Sequence, residues 1–112
     1  MKMLVAIIRP SKLEAVKQAL EEIGVRGLTI SEVRAPGPKT EETASNTTVS
    51  ARVNLVPMHR IETALPEERI DSAIQSIRQA ASLDEGGDGK IFFINMENAY
   101  RVRTGETGAD AI

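Results

Sequence analysis

The densest group of residues able to do chemistry is the run Gly86-Gly87-Asp88-Gly89-Lys90, followed a little later by Arg101-Val102-Arg103-Thr104-Gly105. Consecutive glycines let backbone N–H groups approach an anion closely, and Lys90, Arg101 and Arg103 add positive charge. The chemistry indicated is the cradling of phosphate groups. Arg101 and Arg103 are two residues apart, so an extended segment over Ala99 to Arg103 is expected to point both to one side. The spacing is neither a Walker nor a dinucleotide-binding fingerprint, and a solvated glycine-rich turn with surface cations is the competing reading.

Other chemistry is sparse. The 112 residues contain no Cys and one His, which excludes a disulfide scaffold, thiolate zinc sites, a thiol nucleophile and any centre built on several imidazoles. No metal site is expected. His59 has no acidic or second imidazole residue beside it and reads as a surface or strand-edge histidine. Glu14, Glu21 and Glu22, and then Glu67, Glu68 and Asp71, read as solvated helix faces. No Ser or Thr sits in a nucleophile-elbow pattern, so no catalytic residue is assigned. With a net charge of −2, three aromatic residues and no Trp, nucleic acid is not an expected partner. The longest apolar run, Met3 to Ile8, is too short to span a bilayer, and the start lacks a secretory signal, so a soluble cytoplasmic protein is expected.

The elements that must hold the cradle follow from hydropathy patterning. Met1 to Arg9 reads as a strand ending at Pro10. Ser11 is expected to cap a helix, with Glu14 completing a capping box, Leu13, Val16, Leu20 and Ile23 forming its apolar face and Gly24 its stop. Gly27 to Val33 alternates as a second strand. From Ala35 to about Thr47 no large apolar residue anchors the chain, which predicts a long loop at about 36–49. Val49 to Val56 and His59 to Leu65 resume a strand pattern across Pro57, a bend or edge. Pro66 opens a second helix with the stripe Ile70, Ala73, Ile74, Ile77 and Ala81. Leu83 to Gly89 is a second loop, Lys90 to Asn95 a strand, and Thr104 to Ile112 a polar tail. This order predicts one domain over 1–112 with an α+β, ferredoxin-like βαββαβ fold and both helices on one sheet face. Leu4 to Ile8 and Ile91 to Ile94 are apolar at consecutive positions, so the other face also wants burial, and further copies of the chain are the expected cover.

The opening MKMLVAIIRPSKLEAVKQALEEIGVRGLTISEV, the stretch GGDGKIFF and the closing YRVRTGETGADAI resemble the PII nitrogen-regulatory signal proteins. The resemblance covers nearly all of the chain outside the long loop. It implies a homotrimer of ferredoxin-like subunits that binds ADP, AMP or ATP in clefts between neighbours, without catalysis, and controls a transporter, enzyme or regulator by docking the loop. It places Ile7, Thr29, Glu62 and Ala64 around base and ribose. It places Gly87, Asp88, Gly89 and Lys90 of one subunit, and Arg101 and Arg103 of its neighbour, around the phosphates. Gly37 stands at the base of the long loop.

Departures from the family pattern carry information of their own. Lys39, after Pro38, stands where the family has a glutamine that helps hold Mg-ATP and 2-oxoglutarate, and its ammonium is suited to meet phosphates directly. Met58 stands where a family lysine pairs the 2-oxoglutarate carboxylate, so weak or no 2-oxoglutarate binding is expected. Ala51 replaces the tyrosine that the uridylylated branch modifies, and Val49 the serine of the phosphorylated branch. An alternative within the resemblance is a regulator of bicarbonate transport or carbon fixation responding to ADP and AMP. From other classes come a small phosphate-hydrolysing enzyme using Asp88 and Glu62, and a structural trimer of the metal-tolerance type.

Overall fold

The computed structural model describes residues 1–37, 54–82 and 89–112. Its sheet is built from β1 (Lys2–Ile8), β2 (Thr29–Pro36), β3 (Leu55–Leu65) and β4 (Lys90–Asn95), and the helices are α1 (Leu13–Glu22) and α2 (Ile70–Ala81). The strand order is β2-β3-β1-β4, with every neighbouring pair antiparallel. This is the ferredoxin-like α+β arrangement that the element order predicts.

Alternation along the strands sorts the residues into two faces. Leu4, Ala6 and Ile8 of β1 and Ile61 and Leu65 of β3 turn toward the helices, where Val16 and Leu20 of α1 and Ile70, Ala73, Ile77 and Ala81 of α2 complete the core. The predicted apolar stripes supply the buried residues, with Leu13, Ile23 and Ile74 partly buried at the margin. Register places Met3, Val5 and Ile7 on the opposite face, beside Ile94, Phe92 and Lys90 of β4 and Ala64, Glu62 and Arg60 of β3.

The end of α1 shows how one residue links the helices. Gly24 has φ +87°, a conformation that glycine adopts without side-chain strain. Its N–H donates to the Glu21 carbonyl at 2.9 Å, and the Val25 N–H donates to the Leu20 carbonyl at 3.0 Å. The Arg69 guanidinium, arriving from the turn before α2, donates to the Ile23 carbonyl at 2.8 Å and sets a cation at the negative helix end. Arg69→Ala is expected to lower stability by about 0.5–1.5 kcal/mol, readable as a shift in the urea midpoint.

Several expectations are corrected. Ser11 does not cap α1 and there is no capping box: Pro10 starts a single 3-10 turn over Pro10–Lys12, so α1 begins at Leu13 behind Lys12 with no side-chain cap. Pro66 lies one position earlier than expected, ahead of a 3-10 turn that leads into α2. The long loop does not begin at Ala35 or Pro36. Both remain in β2, opposite Val56 and Leu55, because an edge strand tolerates a proline. Pro57 agrees with its reading as an edge: β3 runs through it as one strand, Leu55–Leu65, and leaves it unpaired on the β1 side. It lies opposite Arg34, past the end of β1, whose last partner on β3 is His59, so the missing N–H deprives no strand of a donor. Finally, Thr104 to Ile112 is no free tail but folds into a turn and a 3-10 segment, Gly108–Ala111.

Candidate functional site

Five of the sequence-predicted site residues share one face of the sheet. Thr29 lies opposite Glu62, Glu62 opposite Val5, Ala64 opposite Met3, and Ile7 opposite both Arg60 and Lys90. All turn away from the helices. Glu62 is held by Arg60 two residues earlier on the same strand, whose Nε donates to Oε1 at 2.7 Å.

Within one chain these residues divide between two clefts. The larger, about 640 Å³, takes Thr29, Glu62, Ala64 and Arg101 from the predicted set. The smaller, about 380 Å³, takes Ile7, Gly89 and Lys90. No lining residue is common to the two. The larger cleft also recruits residues that sequence reading missed: Arg26, Gly27, Thr63 and Arg69, together with Ala109 and Ile112 of the C-terminal segment. Three arginines against the Glu62 carboxylate give this cleft a positive balance, suited to an anionic ligand.

Gly89 is fixed by close approach. Its φ is +104°, and a Cβ added there would stand 1.8 Å from the Ile7 carbonyl oxygen. Only a residue without a side chain lets the segment entering β4 lie against the end of β1, which brings Lys90 into register with Ile7. Gly37 lies on the opposite edge of the sheet and is less constrained: its N–H donates to the Asn54 carbonyl at 3.0 Å, and a Cβ there would meet the Val56 side chain at 3.0 Å.

Arg101 and Arg103 are not on an extended segment. Tyr100 and Thr107 form a bridge, the Arg101 N–H donates to the Glu106 carbonyl and the Gly105 N–H to the Arg101 carbonyl, both at 2.9 Å. Residues 102–104 are a turn. Gly105, at φ +74°, closes it, so two-residue alternation no longer aligns the guanidiniums. Arg101 reaches the larger cleft, whereas Arg103 lines neither of the two and is exposed. Val102 at the tip is fully exposed.

His59 is not a strand-edge residue. It lies on the inner strand β3 between Ile8 and Glu32, and its Nδ1 is buried without a hydrogen-bond partner among the described residues. Met58, 5% exposed, sets a buried thioether where the resemblance implied a cation. Lys39, Gly87, Asp88 and most of the predicted loop, with Val49 and Ala51, lie outside the described residues. Among the described residues no group of His, Asp or Glu is placed to hold a metal ion, and no helix is long and apolar enough to cross a membrane.

Comparison with known proteins gives this geometry its context. The family model for "Nitrogen regulatory protein P-II" matches residues 1–106. The chain belongs to the P-II family. It is 45% identical over 112 residues, the full length of both chains, to the nitrogen regulatory protein P-II of Rhodobacter capsulatus. It is 42% identical to that of Rhizobium meliloti, again over both full lengths. The nitrogen regulatory protein P-II 2 of the archaeon Methanothermobacter thermautotrophicus is 42% identical, with all of this chain and 97% of that protein covered. These P-II relatives are named as regulators.

Proposed function

We propose that this P-II protein is a non-enzymatic, cytoplasmic signalling subunit that binds adenine nucleotides between the subunits of a homotrimer. The division of the site between two clefts with no common lining supports this reading most strongly. One cleft carries Thr29, Glu62, Ala64 and Arg101, and the other carries Ile7, Gly89 and Lys90. A ligand that engages both sets at once is served by one cleft of a subunit set beside the other cleft of its neighbour. The sheet supplies a reason for neighbours: Phe92 is 48% and Ile94 58% exposed on the face opposite the helices. Apolar surface of that kind is stabilised by burial against other copies.

In this reading Thr29, Glu62 and Ala64 of one subunit hold the base and ribose together with Ile7 of its neighbour. Gly87, Asp88, Gly89 and Lys90 of that neighbour hold the phosphates with Arg101 and Arg103 of the first subunit. Gly37 anchors a partner-binding loop on which Lys39 meets the phosphates. Bound nucleotide shifts the population of loop conformers, and a regulated protein, such as a transporter, reads the shift. Met58 leaves a 2-oxoglutarate carboxylate without a cationic partner, so this metabolite is not a tight second ligand.

Calorimetric titration tests the reading. AMP, ADP and ATP, each with and without magnesium, are expected to bind, and Lys90→Ala and Arg101→Ala each to weaken ATP by about tenfold or more, as loss of a charge-assisted bond does. Absence of nucleotide binding, or parent-like binding by both variants, overturns the assignment. Tight binding of 2-oxoglutarate in the presence of Mg-ATP overturns the role given to Met58.

A further inference from the structure

The strand β3 places a hydroxyl where its own alternation calls for a hydrocarbon. Ile61, Thr63 and Leu65 turn to the helix face, and Thr63, 4% exposed, is the buried polar residue of the described core. Its cross-strand neighbour on β1 is Leu4, which is fully buried. A hydroxyl in such surroundings costs stability unless it is hydrogen-bonded. Thr63 Oγ1 donates to the carbonyl oxygen of Gly27 at 2.6 Å, at the short end of the range for O–H···O bonds.

The acceptor matters more than the satisfaction of the hydroxyl. Gly27 lies two residues before β2 and has no side chain with which to anchor itself. A Cβ placed there would meet nothing within 4 Å, so crowding does not hold it either. The Thr63 bond ties this backbone to β3 two residues ahead of the first β2–β3 pair, Thr29 with Glu62. Gly27 and Thr63 both line the larger cleft, as do Thr29 and Glu62, which face each other across the β2–β3 pair.

We propose that Thr63 is a positioning residue of the nucleotide site: its hydroxyl is a strut that holds the Gly27–Thr29 wall at the distance the adenosine end of the ligand requires. The strut rests on the nucleotide reading above and assigns a role to a residue that touches the wall rather than the phosphates. Its signature is therefore independent of phosphate number.

The test uses the full-length chain with Thr63→Val, which keeps the shape and removes the hydroxyl, and Thr63→Ser, which keeps the hydroxyl. Thr63→Val is expected to weaken AMP, ADP and ATP by a common factor of about five to ten, the range expected for one lost hydrogen bond. In the ligand-free protein the Leu28 and Thr29 amides are expected to exchange faster in Thr63→Val. Thr63→Ser is expected to restore both. Parent-like affinity in Thr63→Val, a loss that grows with phosphate number, unchanged amide exchange, or failure of Thr63→Ser to restore binding overturns the strut alone. A parent protein that binds no adenine nucleotide removes the reading beneath it. A merely structural hydroxyl would lower the denaturation midpoint without changing the affinities of all three nucleotides by one factor.

Discussion

Replacing Gly89 by alanine is expected to lower stability by roughly 2–6 kcal/mol, a large share of what a domain of this size has to lose. Two effects add. The backbone at φ +104° is one that residues with a Cβ avoid, and the added carbon would lie 1.8 Å from the Ile7 carbonyl oxygen. A neighbouring flexible side chain could move aside, but this neighbour is strand backbone, already paired with β3 on its other edge. Relief therefore requires the start of β4 to separate from β1. Gly105 supplies the control, because it has φ +74° with nothing within 4 Å of an added Cβ. Gly105→Ala is expected to cost only about 1–2 kcal/mol for the left-handed conformation. Urea midpoints at one protein concentration separate the cases. Equal losses for the two variants would show that close approach to Ile7 contributes nothing. Since Lys90 follows directly and faces Ile7, Gly89→Ala should also weaken nucleotide binding more than Gly105→Ala does.

The second large effect concerns assembly. Phe92→Asp is expected to convert the proposed trimer to monomer, observed by sedimentation or light scattering. The ring is 48% exposed in the isolated chain and lies in register with Val5 on the face that the helices leave uncovered. A carboxylate there would be desolvated in each subunit of the closed assembly, and a buried unpaired charge costs several kcal/mol. Nucleotide affinity should fall with it, because the proposed site needs two subunits. A Phe92→Asp protein that stays trimeric, or a parent protein that is monomeric, removes this account of the open face.

Much of the fold is legible in the sequence because it rests on local physics. The stripe Ile70, Ala73, Ile77 and Ala81 repeats at helical spacing and is the buried face of α2. Lys90 to Asn95 is bounded by glycine-rich sequence and is β4 with those same ends. The misses lie where a distant partner outweighs a local preference. Ala35 and Pro36 look like loop, yet Val56 and Leu55 lie across from them and keep them in β2. Ser11 and Glu14 spell a capping box, yet Pro10 starts a 3-10 turn and shifts the helix origin past Ser11. Arg101 and Arg103 alternate as in a strand, yet the Gly105 N–H returns to the Arg101 carbonyl and closes a turn.

For the candidate site, residue type alone singles out Gly89, Lys90 and Arg101, which the structure sets beside clefts, since glycine adjacency and positive charge are properties of the chain itself. Thr63 left one trace, a hydroxyl between Ile61 and Leu65 at a core position, but its acceptor is 36 residues away in sequence. By itself the sequence determined the α+β element order, the apolar faces, the family and the candidate residues of the proposed site. Tertiary structure alone decided that Thr29, Glu62, Ala64 and Arg101 line one cleft and Ile7, Gly89 and Lys90 another, that the arginines sit on a closed turn and that Gly27 is tied to β3. The physical reason is range: helical and strand periodicity act over a few residues, whereas a cleft is made by hydrogen bonds and close approaches between segments that only the fold brings together.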